Sequence, residues 1–423
     1  MMKDRLDIPI AVIAYNRIKP LQRLLRSLVQ ASYDDLVIKL YICIDGGGND
    51  EVIKLAHDFD WPFGVKQVII QSKNLGLKEH VLRCGNLSQK HDGILILEDD
   101  MFVSPIFYQF AIKSCNFYYA ESAIAGISLY SHLFNESAQM PFIPINDGFD
   151  VFFIQVVSSW GQVWLKSHWK NFVNWYNKND HTDDLEISLP PNIMEWPDSS
   201  WKKFFSAYII AENKYFVNPR ISYTTNFGDP GTHFDKPMLF AQMPVNFGNK
   251  LQDRFVKFNK SRSVYDSYYE ILPEIIKKFN KRLAPYNFDV DLYGVKSYSN
   301  LKSTYVLTSR KVQCIKFSFG LEMMPHELNV ICDIEGDDIL FAKVEELIQL
   351  NYYTTVNLAL TRKKLIYYYR LRDWQLRNGS LFIQDDQSLD ALSVKLLLSK
   401  IIRMWISKFK ILYYKLDSVI RKH

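Results

Sequence analysis

The chain has 423 residues, too many for one compact core, so two domains with a further appendage are expected. Hydrophobic residues at 48% and charged residues at 23% are the balance of a folded globular protein, which excludes a disordered or fibrous chain. A net charge of +5 is too weak for a dedicated nucleic-acid binder, so no nucleic-acid partner is expected.

The first hundred residues alternate short apolar runs with amphipathic segments. Ile8 to Ala14 is a β-rich run ending in Tyr15-Asn16-Arg17. Pro20 then opens a segment whose Leu21, Leu24, Leu25 and Leu28 share one helical face. Ile38 to Ile44 is a second run, closed by Asp45-Gly46-Gly47-Gly48. Helical spacing returns at Val52 to His57, Val65 to Ile70 reads as a third strand, and Leu77 to Leu87 as a helix. Gly93 to Leu97 is a fourth strand, running straight into Glu98-Asp99-Asp100. This order predicts an α/β fold whose parallel strands are covered by helices on both faces. All strand C-terminal ends then lie on one edge, where open α/β sheets bind ligands.

Further on, Ile124 to Leu129 and Val151 to Val157 read as strands, and Ser158-Ser159-Trp160-Gly161 as a turn. A helix carrying Trp164, Leu165, Trp169 and Phe172 is expected next, then a loop from Asn177 to Pro197. Another helix starts near Asp198 or Ser199, either of which suits its N-cap. A strand around Tyr215 to Tyr223 leads into a Gly- and Pro-containing loop, Thr225 to His233. After about residue 290 no motif carries chemistry, and Asp333-Ile334-Glu335-Gly336-Asp337-Asp338 reads as a solvated turn without calcium-loop spacing. From Ser393 the chain has eight basic residues against a single acid, Asp417, with apolar residues recurring every three or four positions. That pattern suits a basic amphipathic helix on a membrane surface, and equally a helix docked on the protein's own body.

Cys43, Cys84, Cys115, Cys314 and Cys332 show no paired spacing, which favours a reducing compartment and gives no zinc site. The opening MMKDRLDIPI lacks the apolar region of a signal peptide, and no run is apolar enough to span a bilayer. The expectation is a cytoplasmic protein, peripheral at most on the inner face of a membrane. The aromatic share of 15% suits sugar stacking or membrane interfaces, with core filling accounting for most of it.

ILILEDD carries the sharpest chemistry. Burying three adjacent acids is costly, so they belong at the mouth of the sheet, where a cation compensates them. A hard divalent ion needs only one or two carboxylates plus substrate phosphates, and there it neutralises a departing diphosphate.

From Pro9 to Leu129 the sequence resembles a GT-A glycosyltransferase domain, in particular N-acetylglucosaminyltransferase I and related bacterial family 2-like sugar transferases. PIAVIAYNR is similar to the family's opening strand, YICIDGGG to its second, and ILILEDD to the Glu-Asp-Asp form of its DxD motif. SSWGQVWLKSHW resembles the acceptor side of the site, and NPRISYTTNFGDPGTHFDK the late strand and the loop that folds over the donor. The resemblance implies a Rossmann-like mixed sheet flanked by helices, with a C-terminal α+β extension. It implies nucleotide contacts from Arg17 and Asp45, ribose and donor-sugar contacts from Glu98 and Asp99, and a divalent metal, Mn2+ or Mg2+, on Asp100. His233, in its Gly-Thr-His loop, would close over the pyrophosphate. The family's base precedes the helix before the late strand. Its paired acids are Ser199 and Ser200 here, so Asp198 becomes the candidate, with Glu195 in reserve. Trp160 is either a sugar platform or core.

The resulting expectation is an inverting transferase. It moves a sugar from a nucleotide-sugar donor, plausibly UDP-N-acetylglucosamine, to a glycan or lipid-linked acceptor in bacterial surface polysaccharide synthesis. Residues 1–290 would form the transferase domain, with a nucleotide-binding half at 1–104 and an acceptor half at 105–250. Residues 291–392 have no assigned role, and 393–423 form the basic helix. A sugar-nucleotide nucleotidyltransferase would need a Gly-rich basic loop after the first strand, and Tyr15-Asn16-Arg17-Ile18-Lys19-Pro20 has no glycine. A non-catalytic, membrane-associated module with the same fold is the other alternative.

Overall fold

The computed structural model describes residues 6–179, 187, 189–231, 241–252, 254–348 and 367–368. The chain divides into two compact units, Met1–Ser137 with Phe142–Ile275, and Ala138–Pro141 with Ile276–His423.

The first unit opens with the expected alternation: β1 (Ile10–Ala14), α1 (Ile18–Val29), β2 (Leu40–Ile44), α2 (Asp50–Asp58), β3 (Lys66–Ile70), α3 (Gly76–Asn86) and β4 (Gly93–Glu98). Then come β5 (Met101–Val103), α4 (Phe107–Tyr118), β6 (Ile124–Ser128), β7 (Val151–Ile154), β8 (Gln162–Leu165), α5 (Lys166–Tyr176), α6 (Pro191–Met194), α7 (Trp201–Ala211), β9 (Tyr215–Pro219), β10 (Thr224–Asn226) and β11 (Val264–Tyr265). Among the described residues nine strands form one mixed sheet, in the order β11-β7-β9-β6-β8-β4-β1-β2-β3. The β4-β1-β2-β3 part is parallel, and β8 runs antiparallel to both β4 and β6. This is the expected mixed sheet flanked by helices.

The period of two in each strand explains why both faces need cover. Ile10, Val12 and Ala14 of β1 enter one core with Leu21, Leu24 and Leu28 of α1 and Phe107 and Phe110 of α4. Ala11 and Ile13 face the other way, into a core with Val81 of α3, Trp169 and Phe172 of α5, and Phe205 of α7. Burial on both sides turns the central strands into unbroken apolar runs, which is why they read so plainly in the sequence.

Four local expectations are corrected. Trp164 and Leu165 belong to β8, not to the following helix. Gln162–Leu165 pairs with β4 from Ile96 to Gly93, and a four-residue run with three apolar members is too short for periodicity to separate strand from helix. The loop expected between Asn177 and Pro197 contains the single-turn helix α6. Neither Asp198 nor Ser199 caps α7, whose N-cap is Ser200 without a side-chain bond. The late strand stops at Pro219, and Thr225 and Asn226 lie in the separate strand β10, paired antiparallel to β5.

In the second unit β12 (Phe288–Asp291), β13 (Tyr305–Thr308), β14 (Phe317–Phe319) and β15 (Ile339–Lys343) form a sheet in the order β12-β13-β15-β14, with α8 (Glu327–Ile331) before β15. Tyr286, Tyr305 and Phe317 gather around Phe341. Asp291 is fully buried, bonded to Thr308 and ion-paired with Arg310. The acidic stretch from Asp333 is the turn between α8 and β15, with Asp333 at a φ of 53° and Arg282 at 2.6 Å from its carboxylate. No helix among the described residues is long and apolar enough to cross a membrane. The segment 393–423 lies outside the described residues.

Candidate functional site

Because β1, β2 and β4 are parallel, the residues at their C-terminal ends emerge on one edge of the sheet: Arg17, Asp45 and Glu98-Asp99-Asp100. Arg17 is the N-cap of α1, so the start of that helix aims its side chain. The guanidinium donates from Nε to Asp99 Oδ2 at 3.3 Å, from Nη2 to Asp99 Oδ1, and from Nη2 to Asp100 Oδ2 at 3.1 Å. Asp100 is completed from the far side of the unit. The Asn226 amide donates to its Oδ1 at 3.0 Å, and the Phe227 backbone N–H donates to its carbonyl.

This cluster is dry. The Asp99 and Asp100 side chains are 6% and 11% exposed, and Arg17 is 25% exposed. Burial pushes the Asp99 carboxyl up to about 6, with Asp100 and Asp229 adding to the rise and Arg17 opposing it. Burial, then the neighbouring Asp100, pushes Glu98 up to about 8, against the pull of Lys202 and Arg17. Burial lowers the Arg17 pKa, but the charges of Asp99 and Asp100 more than reverse that and raise it. At neutral pH Glu98 is therefore largely protonated, and the two aspartates face one guanidinium and one amine; the cluster gains an excess of negative charge, which suits a divalent cation, only as Glu98 ionises. No group of three His, Cys, Asp or Glu side chains converges into a metal cage among the described residues. A hard ion held by one carboxylate, diphosphate oxygens and water needs no such cage, so Asp100 and its neighbours fit that role.

Asp45 is placed differently. Its carboxylate accepts from the N–H groups of Gly46 at 2.8 Å, Leu75 at 2.9 Å and Gly76 at 3.0 Å, tying the turn after β2 to the start of α3. The glycines after it make close approaches possible. A Cβ on Gly46 would lie 2.2 Å from the Lys73 carbonyl carbon, and one on Gly48 would lie 2.4 Å from the Tyr15 oxygen.

Asp198 stands apart from the acid cluster. Its side chain is 70% exposed, and it accepts from Lys203 Nζ at 2.8 Å. The Lys203 hydrogen bond and charge hold its carboxyl below the usual range, so it is ionised at neutral pH. Glu195 is exposed at the end of α6. His233 lies outside the described residues.

Sequence reasoning missed four residues. Asn226 and Asp229 sat unremarked within a loop picked out for its glycines and proline and for its resemblance to a donor-covering loop. Arg23 reaches Asp229 with two bonds, one of 3.3 Å, and its guanidinium lies 3.8 Å from the Phe227 ring centre. Lys202, in the first turn of α7, has its amine 5.9 Å from the Trp160 ring centre and 4.8 Å from that of Trp196. Its charge acts on Glu98 and also on buried His132.

Lys202 thus links the carboxylates to a second feature. Trp160 lines a shallow cleft of about 10 Å3 with Tyr130, His132, Glu136 and Met243. Its ring lies against Tyr130 at 4.7 Å and stacks on His132 at 6.1 Å, while its carbonyl accepts from Thr224 of β10. Trp160 therefore both packs on the core and presents a surface to the cleft.

No family model matches the chain, and no curated protein matches it. Solved structures do. The mannosyltransferase PcManGT from Pyrobaculum calidifontis, in complex with GDP-Man and Mn2+, is similar at 9% identity and a TM-score of 0.32, over 51% of this chain and 57% of that one. S. aureus TarS 1-349 in complex with UDP-GlcNAc is similar at 12% identity and a TM-score of 0.35, over 53% and 60%. GalNAc-T7 with UDP, GalNAc and Mn2+ is similar at 11% identity and a TM-score of 0.34, over 52% and 43%. The chain thus spans less than two thirds of each of these structures. At these values the likeness assigns no donor, acceptor or reaction to this chain.

Proposed function

We propose that the chain is a metal-dependent, inverting glycosyltransferase that moves a sugar from a nucleoside-diphosphate donor to a hydroxyl of a glycan or lipid-linked acceptor. The observation that supports this reading most is the buried Asp99–Asp100 pair at the edge of the parallel strands, held between Arg17 and Asn226.

Asp100 would hold the divalent ion, Mn2+ or Mg2+, with Asp99 and Glu98 toward the ribose and the donor sugar. When bound, such an ion neutralises charge on the departing diphosphate. Arg17 and Lys202 supply further positive charge for the phosphates, and the partly exposed ring of Trp160 meets the acceptor. Asp198 takes the proton of the acceptor hydroxyl. The acceptor oxygen forms its bond to the anomeric carbon as the bond to the diphosphate breaks, and the configuration inverts. The Lys203 ion pair weakens Asp198 as a base and must loosen for this step.

The sequence resemblance favours a UDP-sugar, with UDP-N-acetylglucosamine first, and a place in bacterial surface polysaccharide synthesis. The first unit, Met1–Ser137 with Phe142–Ile275, would form the transferase domain expected over residues 1–290, and the basic segment 393–423 would hold the enzyme at the inner membrane face. A thermal-shift screen of UDP, GDP, CMP and their sugars, with and without Mn2+, tests the reading. Stabilisation by one nucleotide family only when metal is present supports it. No shift with any nucleotide sinks it.

A further inference from the structure

Arg17 sits where a nucleotide contact is expected, yet its guanidinium is spent on the acids. Two of its bonds go to Asp99 and one to Asp100. Both oxygens of Asp100 are occupied, Oδ1 by the neutral amide of Asn226 and Oδ2 by Arg17. A second cation arriving at Asp100 would meet the guanidinium at close range in a site with little water, where like charges repel strongly. The amide carries no charge and can remain.

We propose that Arg17 is the resident counter-cation of the acid cluster, and that a divalent ion displaces it from Asp100 and so releases the guanidinium toward the diphosphate. Arg17 is then a positioning residue as well as a phosphate ligand, and it couples metal uptake to donor binding. This rests on the transferase reading above. Three features of the site support it. Asp99 and Asp100 are buried, so when ionised they require a cation, since an unpaired buried charge is strongly unfavourable. The planar fork of arginine can hold two carboxylates and can equally bind a diphosphate. The side chain is also partly open to solvent, at 25% exposed.

The test is Mn2+ uptake by the full-length chain, followed from the electron paramagnetic resonance signal of free ion, in buffer alkaline enough to keep the carboxylates ionised. Wild type, Arg17→Gln, Arg17→Lys and Asp100→Asn are compared without nucleotide and then with UDP or GDP. Without nucleotide, Arg17→Gln should bind Mn2+ about tenfold more tightly than wild type, the factor that 1.4 kcal/mol represents. Arg17→Lys, which keeps the charge but not the fork, should return affinity toward the wild-type value, and Asp100→Asn should lose binding. Nucleotide should strengthen Mn2+ binding in wild type and much less in Arg17→Gln. Equal or weaker Mn2+ binding by a folded Arg17→Gln overturns the proposal while leaving the transferase reading in place. No Mn2+ uptake by any form, with or without nucleotide, overturns both.

Discussion

The side-chain amide of Asn226 donates to Asp100 at 3.0 Å, joining residues 126 positions apart in the chain. The pairing of β10 with β5 sets Asn226 opposite Met101, the residue after Asp100, so the sheet register delivers the amide. A hydrogen bond to a charged group contributes roughly 1.5–3 kcal/mol, and Asn226→Ala would leave one Asp100 oxygen without its partner. The Mn2+ concentration giving half-maximal nucleotide stabilisation should therefore rise about tenfold in Asn226→Ala. A metal titration followed by thermal shift checks this. An unchanged midpoint would mean that Asn226 plays no part in ordering the acid.

Asp100 and Asp198 are expected to fail in different ways. Asp100→Ala should abolish metal-dependent nucleotide binding. Asp198→Ala should keep donor binding and lose about 10² to 10⁴ in turnover, the usual contribution of a positioned base. Initial rates beside donor thermal shifts separate the two. Full turnover in Asp198→Ala, with loss in Glu195→Ala, would move the base to Glu195.

The turn after β2 leaves no room for a larger residue at Gly46, whose added Cβ would meet the Lys73 backbone. Backbone cannot rotate aside as a side chain can, so Gly46→Ala should destabilise the unit by about 1–3 kcal/mol. It should also loosen the hold of Asp45 on the start of α3. Urea unfolding at equilibrium measures the first effect, and weaker nucleotide binding would report the second.

Buried His168 should give the protein a stability that falls in acid. Burial, then the charge of Lys214, pushes its pKa down from 6.5 to about 3, so the folded state holds the ring neutral. An unfolded chain binds the proton from about pH 6.5 downward, so this contribution is fully present above that value. It is lost as pH falls toward 3, at up to roughly 1.4 kcal/mol per pH unit. His132 behaves in the same direction, with burial and then Lys202 pushing it to about 3. Melting temperatures across this range should fall less steeply for His168→Gln than for wild type. Parallel curves would show that the ring does not stay neutral.

The legible part of this protein is the part whose physics is local. β1, β2 and β4 are buried on both faces, so each appears as an unbroken apolar run, and the residues just beyond each run lie at the sheet edge. Arg17, Asp45 and the three acids were found in that way, and α1 was legible from its four leucines. The short strand β8 was not found, because Gln162–Leu165 becomes a strand only by inserting between β4 and β6.

The sequence by itself determined that an α/β sheet carries Glu98, Asp99 and Asp100 at the end of its fourth strand, because hydrophobic period and strand order need no distant partner. Only the tertiary structure decided which groups meet those acids. Arg17 turns onto Asp99 and Asp100, Asn226 arrives on β10, and α7 brings Lys202 beside both Glu98 and Trp160. It also assigned the Asp45 carboxylate to the start of α3. Each of these depends on strand pairing or helix packing between distant segments, and the composition of neither segment reveals its partner.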